Sequence, residues 1–112
     1  MAYTTPARHG CPWVRDELIL VFALYCRIPF GRIHHTNPKI IELAALLQRT
    51  PGSVALKMGN LAHCDPVHQK RGVDGNSHGS RLDGEVFEEF ASDMVELAMQ
   101  EAAIKARLLN KD

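Results

Sequence analysis

The sequence predicts an all-α fold: a core of three short helices followed by one long C-terminal helix. Three observations lead there. Apolar residues recur at three- and four-residue intervals in four separate segments, the period of a helix with one buried face. Two segments open on a polar cap followed by proline, Asn37-Pro38 and Thr50-Pro51, the chemistry of a helix N-terminus. Only Gln48-Arg49-Thr50 separates the second segment from the third, a link so short that the two helices must meet at a sharp angle, as in a helix-turn-helix.

Residues 1–11 lack any apolar period and are expected to form a flexible arm. Pro12 and the pair Asp16 and Glu17 then open the first helix, since carboxylates in a first turn suit the helix dipole. Trp13, Leu18, Phe22 and Tyr25 share its buried stripe, thickened by Leu20, Val21 and Leu24, and Ile28-Pro29-Phe30-Gly31 ends it after about Arg27. The second helix starts at Pro38 and buries Ile40, Ile41, Leu43, Ala44 and Leu47; the third starts at Pro51 and packs Val54, Leu56, Met58 and Leu61. Residues 12–62 therefore make the helix-turn-helix core, and 63–82, rich in Gly and without an apolar period, a basic loop. Residues 83–109 are expected to form one helix capped by Asp83, with Phe87, Phe90, Met94, Leu97, Ile104 and Leu108 near the helical period. That helix is long for so small a domain, and its distal half is expected to seek a second copy of the chain, as a homodimer.

A length of 112 residues suits one domain with a single core, and 46% apolar residues suit a globule rather than a disordered chain. The longest apolar run, Leu18 to Cys26, falls well short of the roughly 20 residues a membrane span needs. Neither a secretory signal nor a paired set of cysteines is present, so the expected compartment is cytoplasmic, at the nucleoid if the partner is DNA. The formal net charge of zero hides a division. Residues 1–81 hold ten Lys/Arg against five Asp/Glu, a net +5, whereas residues 82–112 hold three against eight, a net −5. A basic body suits nucleic acid, and an acidic terminal helix is equally an ordinary solvated face.

Catalytic and metal-binding patterns are missing. His63, Cys64, Asp65 and His68 lie close together, but Pro66 interrupts any helix that would align them, and no second ligand pair stands at a zinc-site spacing. His34 and His35, being adjacent, are expected to point apart. Cys26 sits in an apolar helix, and Asp16 and Glu17 are adjacent and diverge, which makes a poor acid/base pair. No nucleophile elbow, phosphate loop or dinucleotide fingerprint occurs, so no catalysis and no cofactor is expected of this chain.

The strongest functional signal is Glu42 to Leu61. Small residues such as Gly52, Ser53 and Ala55 would let a third helix approach base edges in a major groove about 12 Å wide. Arg49, Thr50, Ser53, Lys57 and Asn60 are the expected DNA contacts, with Ser53 and Lys57 on one outward face. Lys70, Arg71 and Arg81 are expected to touch the phosphate backbone, with Arg15, Arg32, His34 and His35 as further candidates.

Trp13-Val14-Arg15-Asp16-Glu17-Leu18 followed by Leu46-Leu47-Gln48-Arg49-Thr50-Pro51-Gly52-Ser53-Val54 resembles a Myb/SANT-like three-helix module. With Phe30-Gly31-Arg32-Ile33-His34, Asn37-Pro38, Asp65-Pro66 and Gly79-Ser80-Arg81-Leu82-Asp83, the chain is similar over about residues 13–100 to the N-terminal region of predicted HNH-family restriction endonucleases. The resemblance implies a module that places a nuclease, in cis or in trans, on duplex DNA at particular sequences or modified bases. The HNH motif itself is absent, so nuclease activity does not carry over. The family pattern favours Thr at position 14 and Gly at position 48, where this chain has Val14 and Gln48. The rival expectation is a protein–protein adaptor that docks through the same helices.

Overall fold

Every residue from Leu18 to Tyr25 is buried, so the first helix, α1 (Arg15–Tyr25), is covered all round rather than on one stripe. The computed structural model describes residue 7, residues 10–66 and residues 80–110. Within them α1 is followed by a short 3₁₀ turn (Phe30–Arg32), α2 (Pro38–Leu47), α3 (Pro51–Cys64), α4 (Arg81–Phe90) and α5 (Met94–Leu109), with no strand. The fold is all-α, with a three-helix core and a helical C-terminal segment. All four other helices pack on α1. Phe22, at its middle, meets Phe87 of α4 with ring centroids 5.1 Å apart and stacks on Tyr25 at 6.0 Å.

Both proline-led starts form as the sequence indicates. The Asn37 side chain accepts from the Lys39 N–H at 2.9 Å, and the Thr50 hydroxyl accepts from the Ser53 N–H at 3.2 Å. Ile40, Leu43, Ala44 and Leu47 are buried on α2, but Ile41 is exposed, one residue off that face. The C-terminal segment differs in detail from a single helix over 83–109. It begins at Arg81, capped by Ser80, while Asp83 returns a bond to the Ser80 N–H at 2.9 Å. It then breaks at Ala91–Ser92, and Asp93 starts α5 by accepting from the Glu96 N–H at 3.1 Å. The break lets Val86 and Phe90 on one side, and Leu97 and Ile104 on the other, reach the core together. The distal half of the segment therefore does pack within the chain: α5 lies on α1.

Two local positions are less stable than they need be. Val14 precedes α1 in extended backbone and offers no side-chain acceptor to the first turn; only its own N–H is satisfied, by Glu17 Oε1 at 3.1 Å. Gln48, which ends α2, has φ 59° and ψ 42°, a left-handed conformation that glycine adopts without penalty. Val14→Thr and Gln48→Gly are each expected to stabilise the domain by about 1 kcal/mol. Thermal melts of the two single variants check this.

Candidate functional site

The turn between α2 and α3 holds the densest polar cluster in the structure, and it faces inward. Arg49 is buried and donates through Nε to Glu17 Oε2 at 2.8 Å and through Nη2 to Glu17 Oε1 at 3.0 Å. The same guanidinium donates to the backbone carbonyls of Cys11 at 3.0 Å and Pro12 at 3.1 Å, tying the segment before α1 to the turn. Nearly two turns into α3, Lys57 Nζ lies 3.2 Å from each oxygen of the Asp83 carboxylate, with Asp83 0% and Lys57 7% exposed. Trp13 joins the two pairs. Arg49 sits 4.1 Å over its ring and Lys57 5.5 Å.

This geometry corrects the expected contact set. Arg49, Lys57 and Asn60 are buried, so none of them is presented on the surface as described. The reason is the rotation of α3. Val54, Met58 and Leu61 define its buried face, and Lys57 falls between Val54 and Leu61 on the helix, whereas Leu56 falls opposite and is 56% exposed. Leu56 therefore belongs to the outward face and Lys57 to the inward one. Asn60 Oδ1 is buried and has no hydrogen-bond partner among the described residues. Thr50 and Ser53 are half-buried at the start of α3, where the Ser53 hydroxyl donates to the Thr50 carbonyl at 2.9 Å. Arg81 is fully open to solvent in a 3.4 Å pair with Glu85. Lys70 and Arg71 lie outside the described residues, as does His68.

The division of charge has a structural account. Five of the seven described basic residues of the body meet carboxylates, four of them on the C-terminal helices: Arg15 with Glu89, Arg27 with Glu101, Lys57 with Asp83 and Arg81 with Glu85. Arg107 of α5 reaches back to Asp16 at 2.9 Å. Asp16 and Glu17 diverge as expected, one to the surface and one to Arg49. Among the described residues this leaves Arg32 and Lys39 exposed and without an ion pair, one on either side of His34 and His35. Contrary to expectation the two histidines do not point apart. A bend brings their rings to 4.1 Å, and His34 Nδ1 lies 2.9 Å from the Thr36 hydroxyl. Asn37 Nδ2 closes this corner by donating to the Arg32 carbonyl at 2.9 Å.

The Glu101 carboxyl is buried, which opposes ionisation, but hydrogen bonds from Arg27 and Lys105 outweigh burial and hold it below the usual carboxylate range. A lowered folded value means that the stabilisation is full above the unfolded pKa of about 4.3 and is lost as pH falls through the folded value. The melting difference between the parent and Glu101→Gln should accordingly be largest near neutral pH and shrink below about pH 4. Burial pushes the Cys26 and Cys64 thiols up, the opposite of an activated nucleophile. Burial and a 2.8 Å hydrogen bond to Asp65 push the Tyr25 phenol up as well, so it donates as a neutral group. Among the described residues no three His, Cys, Asp or Glu side chains gather as metal ligands, and no helix is long and apolar enough to cross a membrane.

No protein-family model matches the chain, and neither does any curated protein or any solved structure.

Proposed function

We propose that this domain binds duplex DNA and serves as the targeting module of an HNH-type nuclease, with no chemistry of its own. The observation that carries the reading is the outward face of α3. Gly52, Leu56, Gly59 and His63 share that face, three to four residues apart, after a link of only three residues from α2. A helix so exposed, with glycines where backbone must come close, suits insertion beside base edges, and the Leu56 methyls suit an apolar contact with a thymine methyl. Positive charge for the phosphates comes from Arg32 and Lys39, which the body leaves unpaired, and from the exposed Arg81. The buried cations Arg49 and Lys57 position α3 rather than touch the ligand.

With Arg32, Lys39 and Arg81 as the exposed cations of the body among the described residues, binding is weak and has a modest salt dependence. Fluorescence anisotropy with a labelled duplex should give a slope of log K against log salt of about −3, near −0.9 per phosphate neutralised. Arg32→Ala with Lys39→Ala should flatten that slope by about 2. Plasmid DNA incubated with the chain and Mg²⁺, Mn²⁺ or Ni²⁺ should stay intact; nicking abolished by one substitution in this chain would refute the non-catalytic assignment.

One observation favours the adaptor reading: the outward face of α3 carries no Lys or Arg. Leu56→Glu separates the two readings. It should abolish DNA binding with no change in melting temperature. If the parent fails to bind duplex at low salt, α3 docks a protein instead.

A further inference from the structure

The solvent-facing side of α5 has no partner among the described residues. Leu97, Glu101 and Ile104 bury one side of the helix, and Val95, Ala98, Met99, Ala102, Ala106 and Leu109 line the other. Val95 is 73% exposed, Met99 61% and Leu109 71%. At 100° per residue these six positions span about 100° of the helix surface with no charge among them, the width of a stripe that normally faces a core. Such a stripe running the 16-residue length of a helix, about 24 Å, calls for a cover.

We infer that the cover is a second copy of this chain, packed antiparallel on α5 about a two-fold axis at Ala102. Five of the six positions are self-complementary about that residue, and Met99 stands level with Lys105 of the other copy. Val95 on one copy stands level with Leu109 on the other, Ala98 with Ala106, and Ala102 with itself. Alanines at the centre let the backbones approach closely, and the larger side chains close the two ends. Charge selects the direction. Glu96 lies beside the N-terminal half of the stripe and Arg107 on the same flank of the C-terminal half, and both reach solvent. An antiparallel pair brings Glu96 of each copy beside Arg107 of the other, whereas a parallel pair puts this flank of the two helices on opposite sides and leaves Glu96 without that partner. The N-cap Asp93 and the C-terminal Lys105 follow the same polarity, as do the two helix dipoles. A single pair of helices covers less than the roughly 1,200 Å² of a standard interface, so the dimer is weak, with Kd expected in the range of about 10–100 μM. The inference does not depend on DNA binding.

Sedimentation velocity of the full chain between about 5 and 500 μM tests it. The weight-average mass is expected to rise from the monomer's 12.5 kDa toward twice that value. Ala102→Glu places like charges against each other at the axis and should weaken the dimer at least about tenfold, with circular dichroism and melting temperature unchanged because Ala102 is exposed. Direction is read by cross-linking in a chain carrying Cys11→Ser, Cys26→Ser and Cys64→Ala. Ala102→Cys should form a disulfide with itself under mild oxidation. Val95→Cys should pair with Leu109→Cys and not with itself. A parent that stays monomeric throughout, an Ala102→Glu variant that associates like the parent, or self-pairing of Val95→Cys each overturns the inference.

Discussion

Lys57→Ala is expected to destabilise the domain by about 3–5 kcal/mol, because it leaves the fully buried Asp83 carboxylate without a counter-charge. Asp83→Ala should cost a similar amount from the other side and also remove the bond that Asp83 makes to the Ser80 N–H at the start of α4. Against a total stability of roughly 5–15 kcal/mol, either change consumes a large share of the folded state's margin. Replacing both partners with apolar residues of similar volume, Lys57→Met with Asp83→Leu, should recover most of the loss, since no buried charge then remains unpaired. Urea titrations of the two single variants and the double variant measure the coupling directly. A Lys57→Ala variant that melts like the parent would mean that Lys57 is at the surface and α3 is turned about its axis relative to this structure.

Phe22→Ala is the second large effect, at about 3–5 kcal/mol. Phe22 is 1% exposed, lies midway along a helix packed by all four others, and touches aromatic rings on two sides. The cavity left behind has rigid walls, because the part of α1 around Phe22, Leu18 to Tyr25, has no solvent-facing side toward which it could relax. By contrast Leu56→Ala, on the outward face of α3, should change stability by less than about 0.5 kcal/mol. Differential scanning calorimetry on the two variants, with the parent as reference, checks the contrast.

How the sequence encodes this molecule differs between its backbone and its contacts. Asn37-Pro38 and Thr50-Pro51 announce helix starts locally, because a cap is satisfied by neighbours two or three residues away. The left-handed backbone at Gln48 matches the glycine that the resembled family pattern favours at that position. The division of the C-terminal segment was less legible: its apolar period runs across Ala91–Asp93 almost unbroken, and only Ser92-Asp93 hints at a second cap. The candidate site was the least legible part. Counting helical positions from Val54 and Leu61 places Lys57 inside, but a lysine reads as a surface residue unless its partner is known, and that partner lies 26 residues away in α4. Arg49 is the same case, since Glu17 lies 32 residues before it. The unpaired corner at Arg32 and Lys39 emerges only once the other cations are seen to be taken.

The position of α1 also bears on the order in which the chain acquires structure. Its partners arrive late in synthesis: Arg15 pairs with Glu89 and Arg27 with Glu101, each 74 residues on, and Asp16 with Arg107, 91 residues on. A ribosome that has released only the first three helices has exposed an apolar helix with half its cover missing and a lysine, Lys57, with no counter-ion. The nascent chain therefore passes through a sticky interval, closed only when α4 and α5 emerge and wrap the first helix. Contacts of such long sequence separation slow folding relative to an all-helical bundle with local packing. Stalling synthesis before α4 should yield a protease-sensitive, chaperone-bound chain, while synthesis through α5 converts it to the folded domain in one step.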